Sequence, residues 1–357
     1  MGAKRSLSAR PRAAARGGSF RRSVSLRGGP VREMLTQHLA GVFAGIVAAV
    51  WPVSCSTRVQ KGPAPSAECG CVFRHSVFAA NDHWIAFDWR SVPVTSSGIA
   101  YDRSSSRGGV PVLFIHAGIA DRRMWDPQWE ALADTWDVTR LDLRGFGASD
   151  TPPIGPLSRV EDVIATMDDA GLGRVDLVGA SLGAGVAVEV ALTAPTRVAS
   201  LLLCPPGGRL LAARTDDLLA FGEEEDAALE AGDLDAAVEA NIRTWVIGPG
   251  RTDADVAPGV ITAVRQMQRR VFEIDEVMGD VERVEIDPPA LERLDELQAP
   301  TLILLGEFDL ETTKDATERL CAGIRHARRI DWRDSAHLPS LELPDRFTAL
   351  LLGWLAR

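Results

Sequence analysis

Six short apolar runs, each closed by a turn and separated by segments of helical pattern, constrain the fold of this chain more than any other feature. They read VPVLFIH (110–116), WDVTRLDL (136–143), RVDLVG (174–179), RVASLLLC (197–204), PTLILLG (300–306) and ARRIDW (327–332). Runs this apolar and this rich in Val, Ile and Leu suit strands covered on both faces, as in a parallel sheet packed between helices. The intervening segments supply the helices. In LSRVEDVIATMDDAGLG (157–173), Ser158 and Glu161 form a capping box, Val160, Val163, Ile164 and Met167 share one face, and Gly171 marks the end. The alternation predicts an α/β domain with a mostly parallel sheet flanked by helices.

Between 206 and 299 the strand signal disappears. EEEDAALEAGDLDAAVEANIRTWV (223–246) and VITAVRQMQRRVFEIDEVM (260–278) read as amphipathic helices, with Asp233 as an N-cap. A helical insertion of this size predicts a lid over one end of the sheet, dividing the α/β core into 92–205 and 300–357. The acidic run at 223–226 is read as a solvated helix face.

The 357 residues carry a net charge of −10, which argues against general nucleic-acid binding. The balance is uneven: residues 1–33 hold nine basic side chains and one acidic one, leaving the remainder at about −18. The head lacks apolar periodicity and is expected to be disordered. An apolar stretch at 39–53 follows, short for a bilayer-spanning helix. It is compatible with an export signal (Arg21-Arg22 as a twin-arginine match, Cys55 as a lipid-attachment site), with a membrane anchor, or with a start codon placed too early. A cytoplasmic protein is expected, exported or anchored only if that stretch is genuine. Residues 1–91 do not enter the functional argument.

Among the five cysteines, Cys55, Cys69 and Cys71 precede the domain, and Cys204 and Cys321 read as small buried hydrophobes. No zinc spacing occurs, so neither a metal nor another cofactor is expected.

The chemistry concentrates at GASLG (179–183), where an apolar run gives way to a helix. A sharp strand-to-helix turn projects a hydroxyl clear of the backbone, and only small residues fit two positions either side, so Gly179 and Gly183 frame Ser181 as a nucleophile. The following helix aims its first amides at an oxyanion, with Leu182 the natural donor. Serine needs a base at neutral pH. His337, in WRDSAHLPSLELP (332–344), follows the last predicted strand at the same sheet edge, whereas His326 sits among surface-like Arg residues. Beyond the fifth run, Glu307, Asp309 and Glu311 are available to orient the imidazole, and Asp309 is best placed to reach inward. Gly118, in HAGIADRRMWD (116–126), is the expected second oxyanion donor, with His116 buttressing that loop. Trp125, Trp245, Met267 and Phe272 are candidates for an apolar substrate pocket.

From about residue 92 onward the chain resembles the α/β-hydrolase superfamily. The resemblance rests on HAG at the oxyanion loop, DLRGFGAS (142–149), GASLG, GEFD (306–309) and SAHLPSLELP (335–344). It points to the lid-bearing branch that includes esterases, enol-lactonases, carbon–carbon bond hydrolases, dehalogenases and cofactor-free haloperoxidases. The family's order of nucleophile, acid and base implies those roles for Ser181, Asp309 and His337. Two departures stand out: Ala117 replaces a common Gly, and Ser335-Ala336 precede the base where Gly is frequent. Serine at 181 speaks against a dehalogenase, which uses Asp there. The expectation is a serine hydrolase acting on a small or medium ester or lactone. A carbon–carbon hydrolase or perhydrolase with the same three residues, or a ligand-sensing protein with little turnover, stands as the alternative.

Overall fold

The structure is a computed structural model that describes residues 93–104 and 109–357. The expectations for the leader, including the apolar stretch at 39–53 and Cys55, Cys69 and Cys71, lie outside the described residues.

All six apolar runs are strands: β2 (Val112–Ile115), β3 (Val138–Leu141), β4 (Val175–Ser181), β5 (Val198–Pro206), β6 (Thr301–Gly306) and β7 (Ala327–Trp332). They form a parallel set, and a short strand absent from the sequence reading, β1 (Tyr101–Arg103), adds antiparallel to β3. The order across the sheet is β1-β3-β2-β4-β5-β6-β7. With only three residues, β1 has too little pattern to stand out in sequence; the exposed edge of β3 selects it.

Burial on both faces is nearly complete in the central strands. Leu113 and Ile115 of β2 pack into one core with Leu177 of β4 and Leu201 and Leu203 of β5. Val112 and Phe114 pack into the other with Val178, Leu202 and Cys204. This is the two-residue alternation of a strand, with both of its faces apolar. Helix α1 (Asp126–Leu132) lies between β2 and β3, and α2 (Arg159–Asp169) precedes β4. Of the expected capping box only one half forms, Ser158 Oγ accepting from the Glu161 amide at 3.3 Å, and Gly171, at φ 65°, closes the helix as expected. Helix α3 (Leu182–Thr193) follows β4 and is apolar nearly all round, since it runs between the sheet and surrounding helices.

The insertion between β5 and β6 contains α4 (Asp216–Glu230), α5 (Leu234–Asn241), a π-helical segment (Ile242–Ile247) and α6 (Pro258–Met278). The first amphipathic stretch is thus two helices, divided at a turn where Gly232 has φ 71° and Asp233 caps α5 by accepting from the Ala236 amide at 3.0 Å. Helix α7 (Glu311–Gly323) joins β6 to β7. After β7, α8 (Pro339–Glu342) and α9 (Pro344–Leu355) end the chain, α9 burying Phe347, Leu351 and Trp354. No helix among the described residues is long and apolar enough to cross a membrane.

Strand β2 has β3 on one side and β4 on the other, so the connections leaving β2 and β4 diverge. That reversal opens a crevice at the carboxyl ends of the strands, where open α/β sheets bind ligands. Gly118 follows β2, Ser181 ends β4, Asp309 follows β6 and His337 follows β7, so all four lie at this edge.

Candidate active site

Ser181 has φ 50° and ψ −113°, and it is the only non-glycine residue with positive φ among the described residues. Such a conformation costs on the order of 1–3 kcal/mol and persists only where surrounding structure enforces it. The enforcement is backbone crowding. A Cβ on Gly179 would lie 2.4 Å from the Gly183 carbonyl oxygen, and one on Gly183 would lie 2.3 Å from the Ile115 oxygen and 2.6 Å from that of His116. Gly207, at the end of β5, matters equally: its Cβ would come within 2.5 Å of Ser181 Oγ. Sequence reading missed Gly207 because the contact crosses from one strand to its neighbour.

The steric demand at Gly183 carries a prediction. Gly183→Ala forces a methyl group against two main-chain carbonyls that cannot move without displacing β2. Overpacking of this kind costs about 3 kcal/mol, which in a domain of this size lowers the melting temperature by about 10 °C. Calorimetry of the purified variant checks it.

The His337 Nδ1 lies 2.7 Å from Asp309 Oδ2, with both residues only 2% exposed. Asp309 Oδ1 also accepts from the Leu310 amide at 2.8 Å, which fixes the carboxylate plane. Glu307, considered in its place, is exposed. The close pass of the two loops depends on Gly306, where a Cβ would lie 2.1 Å from the Ala336 oxygen. Ser335 and Ala336 are fully buried and neither has positive φ, so replacing glycine there leaves the loop intact. The loop is pinned instead by polar contacts: the Phe308 amide donates to the Ser335 oxygen at 3.1 Å, and the Ala336 amide donates to Glu342 at 2.8 Å. Arg251, from the insertion, pairs with Glu342 at 2.8 Å.

The π-helical segment reaches the same loop. Its Trp245 carbonyl accepts from the His337 amide at 3.3 Å, and the Trp245 ring lies 4.6 Å from the imidazole. Gly248, at φ 84°, ends the segment, and a Cβ there would meet the Phe308 oxygen at 2.3 Å.

His116 is wholly buried and pulled down to about 4 by desolvation, hence neutral at physiological pH. Its Nδ1–H donates to the Ala117 oxygen at 2.8 Å and its Nε2 accepts from the Leu143 amide at 2.9 Å. The ring thus ties the loop after β2 to the turn after β3, which is the buttress expected from sequence. In that turn, Asp142 accepts from the amides of Arg122 and Ala148, both at 2.8 Å, and pairs with the Arg122 guanidinium. Burial pushes the Asp142 carboxyl up to about 6. Gly147, at φ 52°, leaves room for the carboxylate: a Cβ there would sit 2.3 Å from it.

Ser181, His337, Gly118 and Leu182 all line one cavity of about 510 Å³. Leu182 opens α3, whose N-cap Ser181 makes no side-chain cap, so the first amides of the helix remain unsatisfied by it. Gly118 lies against Leu182, a Cβ on it falling 3.5 Å from Leu182 Cβ.

Two of the four expected pocket residues, Trp245 and Phe272, line the cavity. The other two do not. Trp125 is fully buried, its ring 4.9 Å from Phe114 of β2 and 6.0 Å from Phe347 of α9, because the turn after β2 directs it beneath the sheet. Met267 packs in the core that joins the insertion to one face of the sheet, one residue before Gln268, which does face the cavity. The acidic run also needs correction: Glu223, Glu224 and Asp226 are exposed, but Glu225 turns into the cavity and accepts from Asn241 at 2.5 Å.

The profile of the alpha/beta hydrolase family matches residues 112–350. The chain belongs to the alpha/beta hydrolase family. Among proteins similar to this hydrolase, the candidate carbamate hydrolase RutD of Azorhizobium caulinodans is 29% identical over 254 residues, covering 69% of this chain and 91% of its own length. The pimeloyl-[acyl-carrier protein] methyl ester esterase of Neisseria meningitidis serogroup C is 28% identical over 243 residues, covering 67% and 91%. Of solved structures, the thermophilic esterase of Thermogutta terrifontis superposes with a TM-score of 0.58 at 28% identity, covering 74% of this hydrolase and 96% of the esterase.

Proposed function

We propose that this hydrolase cleaves a small or medium ester or lactone through an acyl-enzyme, with Ser181 as nucleophile, His337 as base and Asp309 as the acid that orients it. The observation that carries the reading is the buried 2.7 Å contact between His337 Nδ1 and Asp309 Oδ2, on an imidazole that shares a cavity wall with the strained Ser181.

His337 Nε2 takes the Ser181 proton as Oγ bonds to the substrate carbonyl carbon, and the oxyanion is held by the amides of Leu182 and Gly118. Collapse breaks the bond to the leaving oxygen, which departs as the alcohol after receiving the proton from His337. In a lactone the alcohol stays tethered to the acyl group. Water then gives a proton to His337 and attacks the ester carbon. The carboxylic acid leaves and Oγ regains its proton. Asp309 stays ionised, holding the imidazole in one tautomer and balancing the imidazolium. The insertion acts as a lid: Trp245 covers the imidazole and Phe272 supplies apolar surface, both favouring an acyl chain over a strongly hydrated group.

A fluorophosphonate probe tests the assignment, since it phosphonylates an activated serine with loss of fluoride. The expected result is one adduct per chain, mapped by peptide mass spectrometry to Ser181. Absence of an adduct, or an adduct elsewhere, removes the proposal.

A further inference from the structure

The cavity that holds Ser181 is charged at its far end. Leu182, Gly185, Val186 and Glu189 line it together, the spacing of one face of α3. From Leu182 to Glu189 the helix advances about 10 Å. The cavity therefore runs along α3 from the nucleophile to a group of arginines, Arg159 at the start of α2 with Arg209 and Arg283.

These arginines are not equivalent. Arg209 is engaged, with its Nε 3.2 Å from Glu189 and its Nη1 against Glu285. Arg159 has no ion pair among the described residues, and its Nε is buried without a hydrogen-bond partner. Of the two acids whose charge it feels, Asp162 is held by Arg144 through contacts of 2.7 and 3.0 Å, and Glu189 lies in an ion-pair contact with Arg209 at 3.2 Å, its Oε1 without a hydrogen bond among the described residues. Its other charged neighbour is Arg283, a like charge. Burial first, then that repulsion, pulls the guanidinium down to about 10, so it remains cationic at neutral pH. A buried donor left unpaired beside a second cation is costly. Arg159 lines the cavity and has no ion pair among the described residues, and the planar guanidinium fork matches a carboxylate that enters there.

We propose that Arg159 is a specificity residue that binds a carboxylate at the distal end of the substrate, so that the preferred substrates are half-esters of straight-chain dicarboxylic acids or lactones bearing a terminal carboxylate. This deepens the esterase reading and rests on it for the reaction, but not for the binding. Phe146, Leu157 and Val160 supply apolar wall beside Arg159, suited to the methylene chain between the two ends. The advance of about 10 Å from Leu182 to Glu189 sets that chain at medium length.

The test compares 4-nitrophenyl half-esters of adipate, pimelate and suberate with the neutral hexanoate, heptanoate and octanoate esters, in the full chain and in Arg159→Gln and Arg159→Lys. The readout is the ratio of kcat/KM for each half-ester to that of its neutral partner. In the unaltered protein at least one ratio is expected to exceed ten. Arg159→Gln is expected to reduce that ratio at least tenfold through KM, and Arg159→Lys to restore part of it. A merely structural arginine would lower both substrates alike, so an unchanged ratio in Arg159→Gln overturns the proposal. Absence of half-ester preference in the unaltered protein overturns it too. Calorimetric titration with free pimelate separates this from failure of the esterase reading. If no ester turns over, but pimelate binds the unaltered protein at least tenfold more tightly than Arg159→Gln, the carboxylate site stands and the reaction assignment falls. Equal pimelate affinity with normal ester turnover has the opposite meaning.

Discussion

Ser181→Ala is expected to reduce kcat for short 4-nitrophenyl esters by about 10⁵-fold while leaving the fold intact. On the proposed mechanism, removing the attacking oxygen abolishes the acyl-enzyme route, and the residual rate is that of water in a cavity that still binds the ester. Members of such a catalytic unit are non-additive, so the loss approaches that of removing all three, of order 10⁶-fold. Melting temperature should stay level or rise, because alanine keeps the small Cβ and loses only a hydroxyl whose role is in the reaction. A variant retaining more than a few per cent of turnover would show that Ser181 is not the nucleophile. Fluorophosphonate labelling should disappear in parallel.

Asp309→Asn is expected to lower kcat about 10³–10⁴-fold with a much smaller change in KM. The carboxylate accepts from His337 Nδ1 at 2.7 Å in a site closed to water. An amide in its place can present its NH₂ to Nδ1, which favours the wrong tautomer and withdraws the charge that balances the imidazolium. Asp309 is absent from the cavity wall, so binding is expected to be largely spared. Pre-steady-state kinetics distinguish this from general damage: the acylation burst should slow by the same factor as turnover, and the melting temperature should move by only a few degrees. Equal activity in the variant would place the orienting carboxylate elsewhere.

The parallel sheet was legible because its strands are buried on both faces, and uninterrupted Val, Ile and Leu leave few other ways to satisfy such a run. Strand β1 was not, since three residues paired at an edge carry almost no pattern. The helical insertion was visible in its amphipathic periods, but the π-helical segment Ile242–Ile247 was not. That segment is what carries Trp245 onto His337. Trp125 and Trp245 illustrate the limit: both are large apolar side chains near motif loops, yet one packs under the sheet against Phe114 and the other lines the cavity. The direction each ring takes depends on backbone turns whose geometry is set by distant strands.

Local rules were enough to place Ser181 between its glycines at a strained turn, because such a turn admits few residue types at few spacings, and to place the candidate base and acid at the same edge, because loops following parallel strands emerge together. Which cavity wall each remote side chain joins was decided only on folding. Arg159 reads in sequence as an ordinary first-turn residue of α2. It becomes a cation without an ion pair among the described residues, lining the cavity, only when Asp162 pairs with Arg144 and Glu189 lies against Arg209. Charge pairing across elements is a property of three-dimensional proximity, and no period or motif along the chain encodes it.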